Sequence, residues 1–356
     1  MMNNNPPSKS APATVLCALC VTVSMGTVGC ATGVATAAPA ASSAEQATAD
    51  QIASQIQRVA PAVDDARRIA VHWKPGSIEA NTGSIATEIP QYNAGWVRIQ
   101  RRDQAGDSEL RVGLPLAALP RAAVVAKDGT VTFQRGIPAT DVAVQVFDQG
   151  VRVLVVLNDR SAPTEISFPV NVPAGGTITP NESGGLIVTD LHGALVGGFD
   201  APWAHDADNR AVATHYDVRG QTVVQVIEHT SGDLQYPVVA DQWLFKALIS
   251  SAKWRFTTPY GWTLMVTPTR WARSFPGFRG VGEAGWNELY SKYKTHGLTR
   301  NLNSMRNQFI CHQVVVAVHS PRKPTWDIDE WRPNVGFLQT VNHKCNPGPG
   351  GSGGEI

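Results

Sequence analysis

The groups in this sequence best suited to proton transfer lie in its last third. His296, His312, His319 and His343 occur there with Glu283, Glu288, Asp327, Asp329 and Glu330. A histidine held beside a carboxylate and an arginine can perform general acid–base chemistry, including metal-free cleavage of a phosphodiester. His312, Arg306 and Glu288 are the trio whose types fit such a reaction. Plainer roles compete: Glu288 as a solvated helix residue, His312 as a packing group beside Cys311. The chain has no H-E-x-x-H and no Walker loop. A literal G-x-G-x-x-G spans Gly348 to Gly353 and a G-x-S-x-G surrounds Ser352. Both sit in a Gly-rich tail with no leading strand and too little chain for the following helix. They are composition, not chemistry.

The same third of the chain offers a second kind of chemistry. Seven of the ten tryptophans are there: Trp243, Trp254, Trp262, Trp271, Trp286, Trp326 and Trp331. Rings beside basic groups bind sugar faces, interfacial lipid or bases, by stacking and cation–π contacts of about 0.5–2 kcal/mol each. Trp262, Trp271 and Trp286 read as core. Trp326, Trp331 and Arg332 read as the surface candidates, flanking Asp327, Asp329 and Glu330, the one acidic cluster of this segment. That cluster alternatively pairs locally with Arg332. No metal site is expected, because two cysteines supply too few ligands, and no cofactor is implied.

Targeting comes before the elements that must position these residues. Lys9 is the only charge before Glu45, and the apolar run Ala13 to Val28 is followed by small-residue cleavage signals at Ala35–Ala37 and Ala38–Ala40. Residues 1–40 read as a secretion signal, with an uncleaved anchor and a lipid-anchored form as alternatives. Thr27-Val28-Gly29-Cys30 resembles a lipobox whose Cys30 would carry the lipid, although Thr27 replaces the usual Leu. Beyond the signal only Cys311 and Cys345 remain, which in an oxidising compartment reads as one disulfide, with two buried thiols as the alternative.

Residues 41–80 read as a flexible leader, up to about residue 48, and then a helix. Ile52, Ile56 and Val59 give the helical pattern its spacing from Ala49 to about Val71, with Pro61 expected to break or kink it. Residues 81–241 read as an antiparallel β-rich domain, sandwich or barrel-like. Val142, Val144 and Val146 alternate with other residues, Asp148-Gln149-Gly150 turns, and Val151, Val153 and Val155 resume. Lys127-Asp128-Gly129 and Arg219-Gly220 punctuate similar runs. Residues 242–346 read as a small disulfide-closed α+β domain, with a strand over 263–267 and helices over 282–296 and 302–312. Residues 347–356 read as a flexible tail. The fold class is α+β overall.

Charge divides the chain at the same place. From Ala31 to Asp241 there are 15 Lys/Arg against 23 Asp/Glu, and from Gln242 to Cys345 there are 14 against 5. The basic segment invites an anionic partner: an envelope polymer or lipid, nucleic acid, or the acidic half of the same chain. Independent drift in charge is the plainer alternative.

Several runs in the basic segment resemble a C-terminal domain of unknown function found in exported actinobacterial proteins. They are Thr267-Pro268-Thr269-Arg270, Ala284-Gly285-Trp286-Asn287-Glu288-Leu289, Met305 through His312, Trp326 through Arg332-Pro333, and His343-Lys344-Cys345-Asn346-Pro347. The β-rich half is similar to a region of such proteins ending in Tyr236-Pro237-Val238-Val239-Ala240-Asp241, with Gln242 where a Pro is usual. The resemblance implies a surface location and a Cys311–Cys345 pairing, and no known activity. The reading is an exported protein that binds an anionic envelope component through its basic domain. The alternatives are a secreted nuclease-like effector shielded by the acidic half and a structural envelope protein.

Overall fold

The computed structural model describes residues 41–60, 66–82, 85–102, 109–115, 121–244 and 247–348. The signal segment with Cys30 and the tail from residue 349 lie outside the described residues. The chain is mostly β, 40% strand and 21% helix, in several antiparallel sheets.

Helix α1 spans Ser43–Val59. Ser42 accepts the Glu45 N–H while the Glu45 carboxylate takes the Ser42 N–H, a reciprocal cap that fixes the start. The Ala/Ser/Thr stretch expected as a loose leader is therefore the helix's first turns, because the capping box outweighs the blandness of its composition. The helix ends at Val59, just before Pro61, where a break or kink is expected, and β1 (His72–Lys74) and β2 (Ser77–Asn81) follow.

With β3 (Ile85–Pro90), β4 (Trp96–Arg101) and β5 (Glu109–Gly113), these strands form a five-stranded antiparallel meander. Next come β6 (Val124–Val125), β7 (Val131–Ile137), β8 (Thr140–Phe147) and β9 (Gly150–Leu157). Strand β10 (Glu165–Pro169) precedes β11 (Thr177–Pro180), β12 (Leu186–Thr189), β13 (Leu195–Phe199) and β14 (Trp203–His205). The run closes with β15 (Thr214–Arg219), β16 (Thr222–Ile227) and β17 (Val238–Leu244). A nine-stranded sheet follows the order β11-β12-β13-β17-β9-β8-β7-β6, with β14 also on β17, and β10-β16-β15 form a smaller sheet.

The expected β8–β9 hairpin is present, pairing Phe147 with Gly150. Both of its faces are buried. Val142, Val144, Val146, Val153 and Val155 share a core with Ile89, Val97, Ile99 and Leu110 of the meander. On the other face Ala143, Leu154 and Val156 lie under Ile52, Ile56 and Val59 of α1. Gly129 and Gly220 take positive φ at the turns β6–β7 and β15–β16, conformations that side chains with a Cβ resist. Strand β17 carries Tyr236-Pro237-adjacent Val238 through Leu244 along the middle of the large sheet, so Ala240, Asp241 and Gln242 are all buried.

The C-terminal segment is built on a long hairpin, β18 (Ile249–Thr257) and β19 (Gly261–Pro268). After the short helix α2 (Arg270–Arg273) come α3 (Arg279–Tyr293) and α4 (Leu302–Cys311). The chain runs on through a widened π turn, His312–Val316, into α5 (Ala317–His319). Strand β20 (Trp326–Asp329) joins the hairpin at β19, and α6 (Phe337–Asn342) closes the segment. One face of this sheet packs on Trp286, Leu289, Met305 and Phe309 of α3 and α4.

A separate apolar cluster joins the segment to the large sheet: Ile187 and Leu195 meet Leu248, Trp271, Phe275, Val281 and Ala284. Glycines make that approach possible. A Cβ on Gly198 would crowd the Trp271 ring, and one on Gly280 would fall on the Gly193 carbonyl oxygen.

Candidate functional site

The three residues suited to acid–base chemistry do not form a reactive cluster. Glu288, from α3, is buried and accepts four donors: Arg101 Nη2 at 2.9 Å, Lys292 Nζ at 2.6 Å, and the N–H groups of Leu248 at 2.8 Å and Ile249 at 3.1 Å. Burial pushes its carboxyl upward, but Lys292, Arg101 and the hydrogen bonds outweigh this and hold it below the usual carboxylate range. Every lone pair is engaged in holding α3 to the start of β18 and to β4. The pair also reverses the overall polarity, since the arginine comes from the acidic part of the chain and the carboxylate from the basic part.

Arg306 pairs with Glu283, which also takes Arg279 at 3.1 Å. His312 is buried beneath Trp326, ring centroids 6.3 Å apart, with its Nδ1 2.8 Å from the Gln308 carbonyl oxygen. Desolvation lowers its pKa to about 4, so the imidazole is neutral at physiological pH. A buried neutral histidine with a backbone partner braces a helix. It does not shuttle protons. Among the described residues no three His, Cys, Asp or Glu side chains converge as metal ligands.

The tryptophans divide differently from the sequence reading. Trp271 and Trp286 are buried as expected. Trp326, expected at the surface, is 1% exposed, packed on Phe309 at 5.4 Å with the Arg273 guanidinium over its ring at 5.7 Å. It opens β20 and faces the helices, so the acidic neighbours that suggested a surface are on the alternate positions of the same strand. Arg332 is likewise buried, bonded to Asp329 at 2.6 Å and to the Pro347 carbonyl at 3.2 Å. That is the local ion network weighed as the alternative. Trp331 is half-buried, stacked on Tyr260 at 4.7 Å.

Trp262, expected in the core, is 45% exposed. Ala252, Trp254 and Phe256 alternate along β18 opposite Val266, Leu264 and Trp262 of β19, so all six point to the helix side of the sheet. The inner four are covered by the helices and the loop after α3. The hairpin outruns that cover, which leaves Phe256 55% exposed, Tyr260 46% exposed and Trp262 uncovered at its tip. Phe256 and Trp262 meet edge to face at 5.3 Å.

Trp331 comes against the tip because the Glu330 N–H binds the Trp262 carbonyl oxygen at 3.1 Å. The Asn301 amide clamps the Glu330 and Arg332 carbonyls at 2.9 and 2.6 Å. Four exposed cations lie in the same segment: Lys253 and Arg255 on β18, on the face of the strand opposite Phe256, and Lys294 and Arg300 flanking the stretch that Trp254 Nε1 reaches through the His296 carbonyl. Arg255 pairs with Asp327 at 3.2 Å, while Lys253, Lys294 and Arg300 take part in no ion pair among the described residues.

Cys311 and Cys345 form a disulfide across 34 residues, with Cα atoms 5.4 Å apart, tying the end of α4 to the chain after α6. This is the pairing expected from the cysteine count and from the resemblance.

The model of a family described as "Protein of unknown function (DUF2599)" matches residues 249–348. Uncharacterized proteins of Mycobacterium tuberculosis and Mycobacterium bovis are each 30% identical over 86 residues, 24% of this chain. The match spans 57% of those relatives' length. Among solved structures, a glycoside hydrolase family 81 protein from Clostridium thermocellum aligns with 58% of this chain and 31% of its own, at 11% identity and a TM-score of 0.20. The family match begins at the first residue of β18 and ends just past Cys345, so the hairpin, its aromatic tip and the disulfide all fall within the segment that is similar to the domain of unknown function DUF2599.

Proposed function

We propose that this is an exported binding protein whose C-terminal segment attaches to an anionic component of the cell envelope, with the β-rich part as its scaffold. One observation carries the reading. The groups weighed for catalysis are engaged in internal contacts, whereas Phe256, Tyr260 and Trp262 stand in solvent in the same segment as Lys253, Lys294 and Arg300, exposed cations that take part in no ion pair among the described residues. Buried charges are almost always paired inside a fold; exposed rings grouped with uncompensated cations mark a surface kept for a partner. The disulfide supports export, since such bonds persist in oxidising compartments.

The test uses the purified full chain and fractionated cell envelope. Co-sedimentation that falls steeply between low and high salt, and that Lys253→Glu with Arg300→Glu abolishes, is the expected result. Retention indifferent to salt and to both substitutions, or no retention at all, would remove the proposal.

A further inference from the structure

The tip of the β18–β19 hairpin has the make-up of a membrane-interface anchor. Phe256 and Trp262 lie on the core-facing side of the sheet but beyond the helices, and Tyr260 sits in the turn stacked on Trp331, so the tip is a small aromatic prow. Phe256, the most exposed of them, has no polar atom to offer a ligand, and Tyr260 and Trp262 are the residue types that concentrate at the lipid–water boundary. Polar groups that could read a sugar are otherwise employed: the Asn301 amide holds two backbone carbonyls, and the Thr257 and Thr263 hydroxyls bond each other at 2.8 Å. Sugar recognition needs such groups at the ring edges; a bilayer does not. Lys253 and Arg255 precede the tip along β18, and Lys294 and Arg300 flank the stretch that binds Trp254, so these exposed cations are set back along the chain from the rings, as contacts to headgroup phosphates require.

We infer that this hairpin tip seats the C-terminal segment on an anionic phospholipid surface. Phe256, Tyr260 and Trp262 enter the headgroup–acyl boundary while the four cations meet the phosphates. The inference rests on the binding function proposed above and narrows its partner to a bilayer. Among the described residues no helix is long and apolar enough to cross a membrane. Three rings and a set of cations give reversible binding, since each basic residue adds only modestly near an anionic surface.

The experiment is vesicle sedimentation with the full chain, using phosphatidylcholine alone and phosphatidylcholine mixed with phosphatidylglycerol. Lipids brominated along the acyl chain report insertion by quenching tryptophan emission. Binding to the anionic vesicles alone is expected, with quenching on addition of the brominated lipid. Phe256→Ser with Trp262→Ser should lower partitioning roughly tenfold or more, and Tyr260→Ser, in the turn, should lower it without touching either strand. Lys253→Glu with Arg300→Glu should abolish the preference for phosphatidylglycerol.

Unchanged partitioning of the aromatic variants, or binding without quenching, overturns the anchor. If the wild-type chain ignores both vesicles yet sediments with insoluble envelope polysaccharide in a salt-sensitive way, the lipid assignment falls while the broader binding function stands. If it sediments with neither, both fall.

Discussion

The carboxylate of Glu288 should be the most expensive side chain to alter in the C-terminal segment, although it performs no chemistry. It is nearly inaccessible, as is its partner Arg101, with side chains 3% and 4% exposed. Substituting Glu288→Gln removes the negative charge but leaves one oxygen able to accept, so the four donors at 2.6 to 3.1 Å must share half the acceptor capacity. Lys292 can swing outward, being 35% exposed. Arg101 cannot. Removing one partner of a buried ion pair costs about 3–5 kcal/mol, a large part of a stability usually near 5–15 kcal/mol. Arg101→Met removes the other partner, so the pair of substitutions should be less harmful than their sum by about 2 kcal/mol or more.

Urea unfolding of the wild type, both single variants and the double variant measures this. The direction with pH is also fixed. Because the folded carboxyl lies below its ordinary value, the unfolded chain takes up the proton first as pH falls. The contribution is complete above about pH 4.3, the usual value for an unfolded Glu, and is lost as pH drops toward the folded value. Glu288→Gln should erase that share of the acid sensitivity. A cost under about 1 kcal/mol, or coupling indistinguishable from zero, would mean that water reaches the pair and that the joint is not held this way.

Three further outcomes follow from single sites. His312, at about 4 when folded and near 6.5 when unfolded, should withdraw up to about 3 kcal/mol of stability as pH falls across that interval; His312→Asn should flatten the slope in pH-stepped denaturation. Closing a 34-residue loop restricts the unfolded chain by about 3–4 kcal/mol in the chain-entropy treatment, so Cys311→Ser with Cys345→Ser should lower the melting temperature measurably in calorimetry. Gly280→Ala would press a methyl onto the Gly193 carbonyl; overpacking of this kind costs about 1–3 kcal/mol, and proteolysis should then find the junction near residue 247 more readily than in the wild type.

What was legible in the sequence was what depends on local order. The Val142–Val155 alternation and the Asp148-Gln149 turn specify their hairpin because strand period and turn chemistry both act over neighbouring residues. The same holds for the spans of β19, α3 and α4. Burial was less legible, because it depends on what lies across the gap. Trp262 and Leu264 occupy equivalent positions on β19, yet one is in solvent and the other in the core; nothing in either residue records where α3 and α4 stop. Trp326 misled for the converse reason: acidic neighbours described the opposite face of its strand, not its own. The same limit applies to the residues weighed as acid–base candidates. Glu288 has the composition of a catalytic group only while Arg101, 187 residues earlier, is out of view.

The opposite charges of the two parts invited a picture of electrostatic docking. The contacts across the joint point elsewhere. They include an apolar cluster of Ile187, Leu195, Trp271, Phe275 and Val281, a hydrogen bond from the Asn181 amide to the Ser274 carbonyl, and a buried ion pair that runs against the overall polarity. Surface charge is screened within about 10 Å at moderate salt, whereas an apolar cluster and a desolvated ion pair are not. Salt should therefore leave this joint intact while it weakens attachment to an anionic envelope. Under the proposed binding, the partner would be met by the cations that take part in no ion pair among the described residues, Lys253, Lys294 and Arg300 among them.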